Sequence, residues 1–102
     1  MLPGSNVSAP YKKIGAWVDK ANNTNFQAAT DGFVCACTTF ATSQKAEGFT
    51  DDTATPTKEF FHVEGTAVNS NTQSFSMFVK KGNYWRAVLT TKLYLHWIPL
   101  EP

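Results

Sequence analysis

The sequence lacks the features that mark several classes of protein. Only 17% of its 102 residues are charged, and no run of basic residues exceeds two. A nucleic-acid-binding protein normally carries a basic patch, so we expect no nucleic-acid partner. No apolar run approaches the roughly 20 residues that cross a bilayer, and the N-terminus has no signal-peptide pattern, so we expect no membrane insertion.

Sequence signatures of catalysis are also missing. The chain contains no GxSxG, no Gly-rich phosphate loop and no HExxH. Most carboxylates fall in predicted turns, where they cannot form the facing pair that acid–base catalysis needs. The only histidines, His62 and His96, alternate with aromatic residues on predicted strands. Threefold symmetry would gather either one into a metal-trapping ring, but our main expectation is a non-enzyme with no catalytic residue, metal or cofactor.

The two cysteines, Cys35 and Cys37, are separated by one residue. On a strand they point to the same face with Cα atoms about 6.5–7 Å apart, which is poor disulfide geometry. We therefore expect two small buried thiols.

The sequence is rich in aromatic residues, at 14%, and in turn-forming residues. Turn clusters every ten to fifteen residues predict seven or eight short antiparallel strands. We expect an extended lead-in at 1–10 and one β-sandwich domain at 11–102. Because the lead-in is extended, we also expect Met1 to be an artificial start. The predicted strands are 13–20, 25–40 with a break at Thr30–Gly32, 58–68, 74–80, 84–89 and 93–100.

The segments that connect the strands, and the end of the last strand, can also be predicted. Residues 41–57 are polar and predict a long loop with one short edge strand around Phe49, and 69–73 predicts a turn. Lys81-Gly82-Asn83 predicts a tight turn, because Gly accepts positive φ. Pro99 lacks a backbone donor, so we expect the last strand to end at a sheet edge or to leave the sheet.

Several predicted strands have two apolar faces. In the strand after Gly32, Phe33 and Cys35 share one face while Val34 and Ala36 share the other. A surplus apolar face on a small domain indicates an oligomer or partner surface. The alternative is a central strand whose two faces are simply mixed.

Three blocks resemble the distal domains of phage tail fibres and related receptor-binding proteins. NFQAATDGFVCACTTF (25–40) is similar to their "y-x-A-x-x-D-G-f-v" strand, and FSMFVKKGNYWRAVL (75–89) to their "f-x-V-x-k-G-d-x-w" strand–turn–strand. LYLHWIPLEP (93–102) resembles their closing "v-y-w-I-P-l" strand. The likeness implies a jelly-roll β-sandwich with a C1q/TNF-like outline, assembled as a homotrimer in a virion appendage and made in the bacterial host cytoplasm. Asn83 stands where an acid is frequent, and 41–57 matches no part of the pattern.

The function that follows is binding of a host-cell surface receptor, most plausibly a glycan, without catalysis. One alternative is a structural trimerisation cap or decoration protein of a phage appendage, and another is a monomeric bacterial carbohydrate-binding module. A small glycan hydrolase is a further rival. Loop polarity and the affinity of aromatic rings for sugars give the candidate ligand-binding residues Asn22, Asn23, Asp51, Asp52, Asn71, Asn83 and Trp85.

Overall fold

The structure, a computed structural model, describes residues 13–40, 44–64 and 71–101. The predicted lead-in at 1–10 lies outside these ranges. No helix in the described ranges is long and apolar enough to cross a membrane. The strands are β1 (Lys13–Ile14), β2 (Val18–Asp19), β3 (Phe26–Gln27), β4 (Gly32–Phe40), β5 (Lys45–Asp51), β6 (Glu59–Glu64), β7 (Asn71–Val79), β8 (Tyr84–Leu89) and β9 (Lys92–Glu101).

The strands form two antiparallel sheets. One has the order β1-β9-β4-β7, with β2 pairing on the same side of β9 as β1, and the other has the order β3-β8-β5-β6. Strands β2 to β9 alternate between the sheets, except that β5 and β6 are neighbours in one sheet, as in a jelly roll, a sandwich of two Greek keys. This confirms the predicted all-β, jelly-roll-like β-sandwich.

The core lies between the two sheets and is built from alternate residues of the long strands. Val34 and Ala36 of β4 face Trp85 and Ala87 of β8 across the sandwich interior. The Trp85 ring is 1% exposed and packs 4.9 Å from the Phe26 ring and 6.0 Å from the Trp97 ring, measured between centroids. The tryptophan is therefore the centre of an aromatic stack that joins the sheets.

The outer face of the five-stranded sheet is apolar as well. Phe33 of β4 pairs with Phe78 of β7 and Ile98 of β9, and the two phenylalanine rings lie edge to face with centroids 5.5 Å apart. Cys35 and Cys37 are free thiols on this same face; Cys37 is buried as predicted, whereas Cys35 is only partly buried. Burial raises the pKa of Cys35, which keeps it a neutral, weakly polar side chain.

Strand β5 corrects the predicted long loop at 41–57. It is a central strand that pairs with β6 on one side and β8 on the other, rather than a short edge strand. Its inward positions are Ala46 and Gly48, which are too small to show an apolar alternation in the sequence. A Cβ on Gly48 would lie 2.3 Å from the Phe61 ring, so the small residue makes room for a large one from β6.

Three further boundaries differ from prediction. The segment 13–20 is two short strands separated by residues 15–17, and β7 already begins at Asn71, within the predicted turn. Pro99 lies inside β9, which pairs with β4 on one side and with β1 and β2 on the other. Its carbonyl accepts a hydrogen bond from Gly15 N at 2.7 Å, so the chain stays in the sheet without the missing donor.

Replacement of Trp85 tests the aromatic stack. Trp85→Ala removes the largest fully buried side chain, and we expect it to lower the free energy of unfolding by about 3–5 kcal/mol. Phe60→Ala removes an aromatic ring that is 55% exposed and serves as the control, with an expected change within about 0.5 kcal/mol. Urea denaturation followed by circular dichroism measures both, and equal losses would contradict the assigned core.

Candidate functional site

One end of the sandwich carries a polar depression between two loops. The loops are 52–58, which joins β5 to β6, and 80–83, which joins β7 to β8. The depression has a volume of about 350 Å³, within the range of small-ligand sites. It is lined by Thr50, Asp51, Asp52, Lys58, Lys80 and Asn83.

The 80–83 loop is the tight turn predicted from its sequence. Asn83 N donates to Lys80 O at 3.0 Å, and Gly82 has a φ of 88°, as a type II turn requires at its third residue. Lys81 N donates to the Asp31 carboxylate at 2.7 Å, and Gly82 N donates to Ala28 O at 2.8 Å. These bonds hold the turn against the 28–31 segment and fix the backbone that carries Lys80 and Asn83.

The 52–58 loop is organised by the buried carboxylate of Asp51. One oxygen accepts hydrogen bonds from Thr53 N at 2.8 Å and from the Thr53 hydroxyl at 2.5 Å. The other accepts from Thr57 N at 2.8 Å and from Lys58 N at 3.1 Å. The hydroxyl of Thr53 and the backbone donors of Thr57, Thr53 and Lys58 hold the pKa of Asp51 well below its usual range.

Four side chains of the depression remain available to a ligand. Within the described part of the chain, Asp52, Lys58, Lys80 and Asn83 make no side-chain hydrogen bond or ion pair. Two lysines and the carboxylates of Asp51 and Asp52 give the depression no formal net charge. It therefore offers ammonium, carboxylate and amide groups without a strong preference for an ionic ligand.

The structure distributes the seven predicted ligand residues over three places. Asp51, Asp52 and Asn83 meet at the depression, although the Asp51 carboxylate is occupied by its own loop. Trp85 is in the core at 1% exposure and offers no free ring face.

The remaining asparagines lie toward the opposite end of the sandwich. The amide of Asn22 donates to Leu89 O at 2.7 Å and accepts from Leu89 N at 2.9 Å, so both of its polar atoms serve the fold. Asn23 has a φ of 52° and donates its backbone N–H to Ala87 O at 2.8 Å. Asn71 pairs through its backbone with Phe40, and its side chain lies outside the described part of the structure.

Sequence reasoning missed Thr50, Lys58 and Lys80. The depression is closed by the ends of strands that are distant in sequence, and Thr50 was assigned to a loop rather than to β5. The Lys80-Lys81 pair beside a turn was the available signal, but a lysine at a turn is most often only solvated.

A second polar cluster, also missed, lies on the outer face of the four-stranded sheet. His62 Nδ1 lies 3.1 Å from Glu47 Oε2 and 3.0 Å from Glu59 Oε2, and His62 Nε2 lies 3.0 Å from Glu64 Oε1. Hydrogen bonding to Glu59, and then to Glu64 and Glu47, raises the pKa of His62 to about 9. The imidazole is partly exposed, and three carboxylates surround it.

No protein-family model matches the chain, and neither the curated proteins nor the solved structures that were searched contain a match. The site is therefore interpreted from its own geometry.

Neutralising Asp51 tests its role in forming the depression. In Asp51→Asn an amide nitrogen replaces one acceptor oxygen, so we expect the amides of Thr53, Thr57 and Lys58 to exchange with solvent about tenfold faster or more. Asp52→Asn, beside it and without intramolecular partners, should leave those rates unchanged. Hydrogen exchange measured by NMR distinguishes the two.

The pH dependence has a definite sign. Because the folded-state pKa of Asp51 is depressed, its contribution to stability is present above the unfolded pKa of about 3.9 and is lost as the pH falls through the folded value. The wild type should therefore lose more stability in acid than Asp51→Asn does. The free energy of unfolding of both proteins is measured by urea denaturation at a series of pH values. Equal losses of stability on acidification would contradict this role of Asp51.

Proposed function

We propose that the protein is a non-catalytic receptor-binding domain of a virion appendage, and that it takes a host-cell surface saccharide at the loop end of the sandwich. The observation that carries the proposal is the depression in which Asp52, Lys58, Lys80 and Asn83 present unpartnered polar groups between two braced loops. Rigid walls reduce the entropy lost on binding, so few contacts suffice for recognition. The appendage assignment rests on the three sequence blocks that resemble phage tail-fibre domains.

The chemistry of the depression favours a hydroxyl-rich ligand. A saccharide hydroxyl both donates and accepts hydrogen bonds, so it can pair with ammonium, carboxylate and amide groups alike. The two lysines and two aspartates balance in charge, so a polyanion would gain no net attraction there. A neutral or weakly charged glycan is the class of ligand that uses all four free side chains.

The apolar outer face of the five-stranded sheet supports assembly of identical copies. Phe33, Phe78 and Tyr94 are each 37–40% exposed, and Trp17 is 60% exposed. Between them lie Cys35, Ser74 and Ser76, which are neutral and small enough to permit close approach. A second copy of this chain offers the same uncharged surface, so contact between copies would bury little charge.

The Asp19 carboxylate on this face already has a partner. His96 Nε2 lies 2.7 Å from Asp19 Oδ1, and the imidazole lies between the rings of Tyr94 and Trp17, at centroid distances of 4.9 and 5.4 Å. We propose a homotrimer that packs through this face. Three weak saccharide sites on one rigid assembly then bind a cell surface by avidity.

The same apolar face also favours the alternative of a structural trimerisation cap. A cap needs the contacts between copies but no ligand. A monomeric carbohydrate-binding module would need a ligand but no contacts between copies. Ligand binding and assembly are therefore tested separately.

Ligand binding is tested with an array of bacterial surface saccharides. We expect at least one saccharide to bind, and Asn83→Ala and Lys80→Ala each to weaken that binding about three- to tenfold, the effect of one lost hydrogen bond. Lys92→Ala is the matched control, because Lys92 begins β9 at the opposite end of the sandwich. An array without any bound saccharide, or equal losses in Lys80→Ala and Lys92→Ala, would overturn the proposed site.

Assembly is tested by light scattering in solution. We expect a mass three times the chain mass of 11.3 kDa. Phe78→Lys, which places a charge within the apolar face, should yield a folded monomer. Phe60→Lys on the other sheet should remain trimeric, and a monomeric wild type at high concentration would refute the trimer.

A further inference from the structure

We infer that the Glu47–Glu59–His62 cluster is a binding site for a divalent transition-metal ion, with Zn²⁺ as the best fit. The candidate ligand atoms are His62 Nδ1 and one carboxylate oxygen from each glutamate, and all three lie within 4.8 Å of one another. Ligands bound at about 2.0–2.2 Å from a tetrahedral zinc are separated by about 3.3–3.6 Å. The observed separations of 3.1 Å from Nδ1 to Glu47 Oε2 and 3.0 Å to Glu59 Oε2 are therefore close to those of a metal site.

An irregularity in β6 creates this arrangement. Residues an odd number apart on a regular strand point to opposite faces, so Glu59 and His62 would be separated by the sheet. The pairing shifts between Gly48 and Phe49, which oppose Phe61 and Glu59, so that Phe60 is an extra residue. This bulge brings Glu59 onto the same face as His62, and bulges of this kind commonly re-aim a side chain at a functional site.

The neighbouring charges orient each ligand toward a common point. Lys45 Nζ lies 3.1 Å from Glu47 Oε1, which leaves Oε2 of the same carboxylate directed at His62. Glu64 Oε1 lies 3.0 Å from His62 Nε2 and accepts the proton of that nitrogen, so Nδ1, which points at the two other glutamates, is the nitrogen left to bind a metal. A carboxylate on the far nitrogen of a ligating histidine is the usual outer shell of a zinc site.

Charge balance favours a dication. Apart from the imidazole, the three carboxylates and one lysine of the cluster carry a formal charge of −2. The imidazole nitrogen selects against Ca²⁺ and Mg²⁺, which prefer all-oxygen sites.

The three ligands approach from the sheet, so the remaining coordination positions would face solvent. His62 and Glu59 are 38% and 37% exposed, whereas Glu47 is 14% exposed and anchors the site to β5. Such an open site binds water or a donor atom from another molecule. The inference is independent of the saccharide site, because the cluster lies on the outer face of the four-stranded sheet and shares no residue with the depression.

Calorimetric titration of untagged, chelator-treated protein with ZnCl₂ tests the inference, with CaCl₂ and MgCl₂ titrated in parallel. We expect one Zn²⁺ per chain, no comparable binding of the other two ions, and a selective NMR shift of the His62 ring. His62→Gln and Glu59→Gln should reduce Zn²⁺ binding to background. Glu64→Gln, which removes only the orienting carboxylate, should weaken binding about ten- to a hundredfold.

His96→Gln is the matched control, because among the described residues His96 has one carboxylate neighbour, Asp19, rather than three. It should bind Zn²⁺ as the wild type does. The inference is overturned if the wild type binds no Zn²⁺, if Ca²⁺ binds as tightly, or if His62→Gln retains binding that His96→Gln loses. Circular dichroism of each variant separates loss of the site from loss of the fold, and Glu64→Gln, which keeps all three ligands, gives a second measure if a ligand variant does not fold.

Discussion

The alternation of side chains along β4 is the constraint on which the rest of the structure depends. This strand lies at the centre of the five-stranded sheet, between β7 and β9, and has to present Val34 and Ala36 to the core. Because the period of a strand is two, the register that buries these residues also places Phe33 and Cys35 on the outside. The apolar outer face is thus a direct consequence of the register that forms the core.

The same constraint explains which elements could be predicted. β8 shows one buried residue in every two, and its predicted bounds, 84–89, match those of the structure. β5 alternates only as far as Gly48, and its inner residues there, Ala46 and Gly48, give no apolar signal, because Phe61 from β6 fills the space next to Gly48. The prediction for Pro99 was wrong. Proline has no backbone N–H to donate, but the pairing with β1 at this position uses the Pro99 carbonyl, which accepts from Gly15 N, so the strand continues.

The candidate sites were predictable only in part. Short polar side chains in turns identified Asp52 and Asn83, but the same chemistry selected Asn22, whose amide is consumed by the backbone of Leu89. Polarity alone does not distinguish a group that binds a ligand from one that closes a turn. The Glu–His cluster was harder still to predict, because Glu59 and His62 are brought together by a bulge that the periodicity of the sequence does not indicate.

The locations of the three surfaces make them compatible in one assembly. Packing of copies through the outer face of the five-stranded sheet would cover Phe33 and Phe78 and turn the four-stranded sheet outward. His62 and its glutamates lie on that outward sheet, and the depression lies at the end of the sandwich, so neither would be buried by such packing. The apolar surface, the proposed saccharide site and the proposed metal site therefore occupy separate parts of the domain. This separation follows from the sandwich itself, because the residues on its two outer faces and two ends can vary without changing the core.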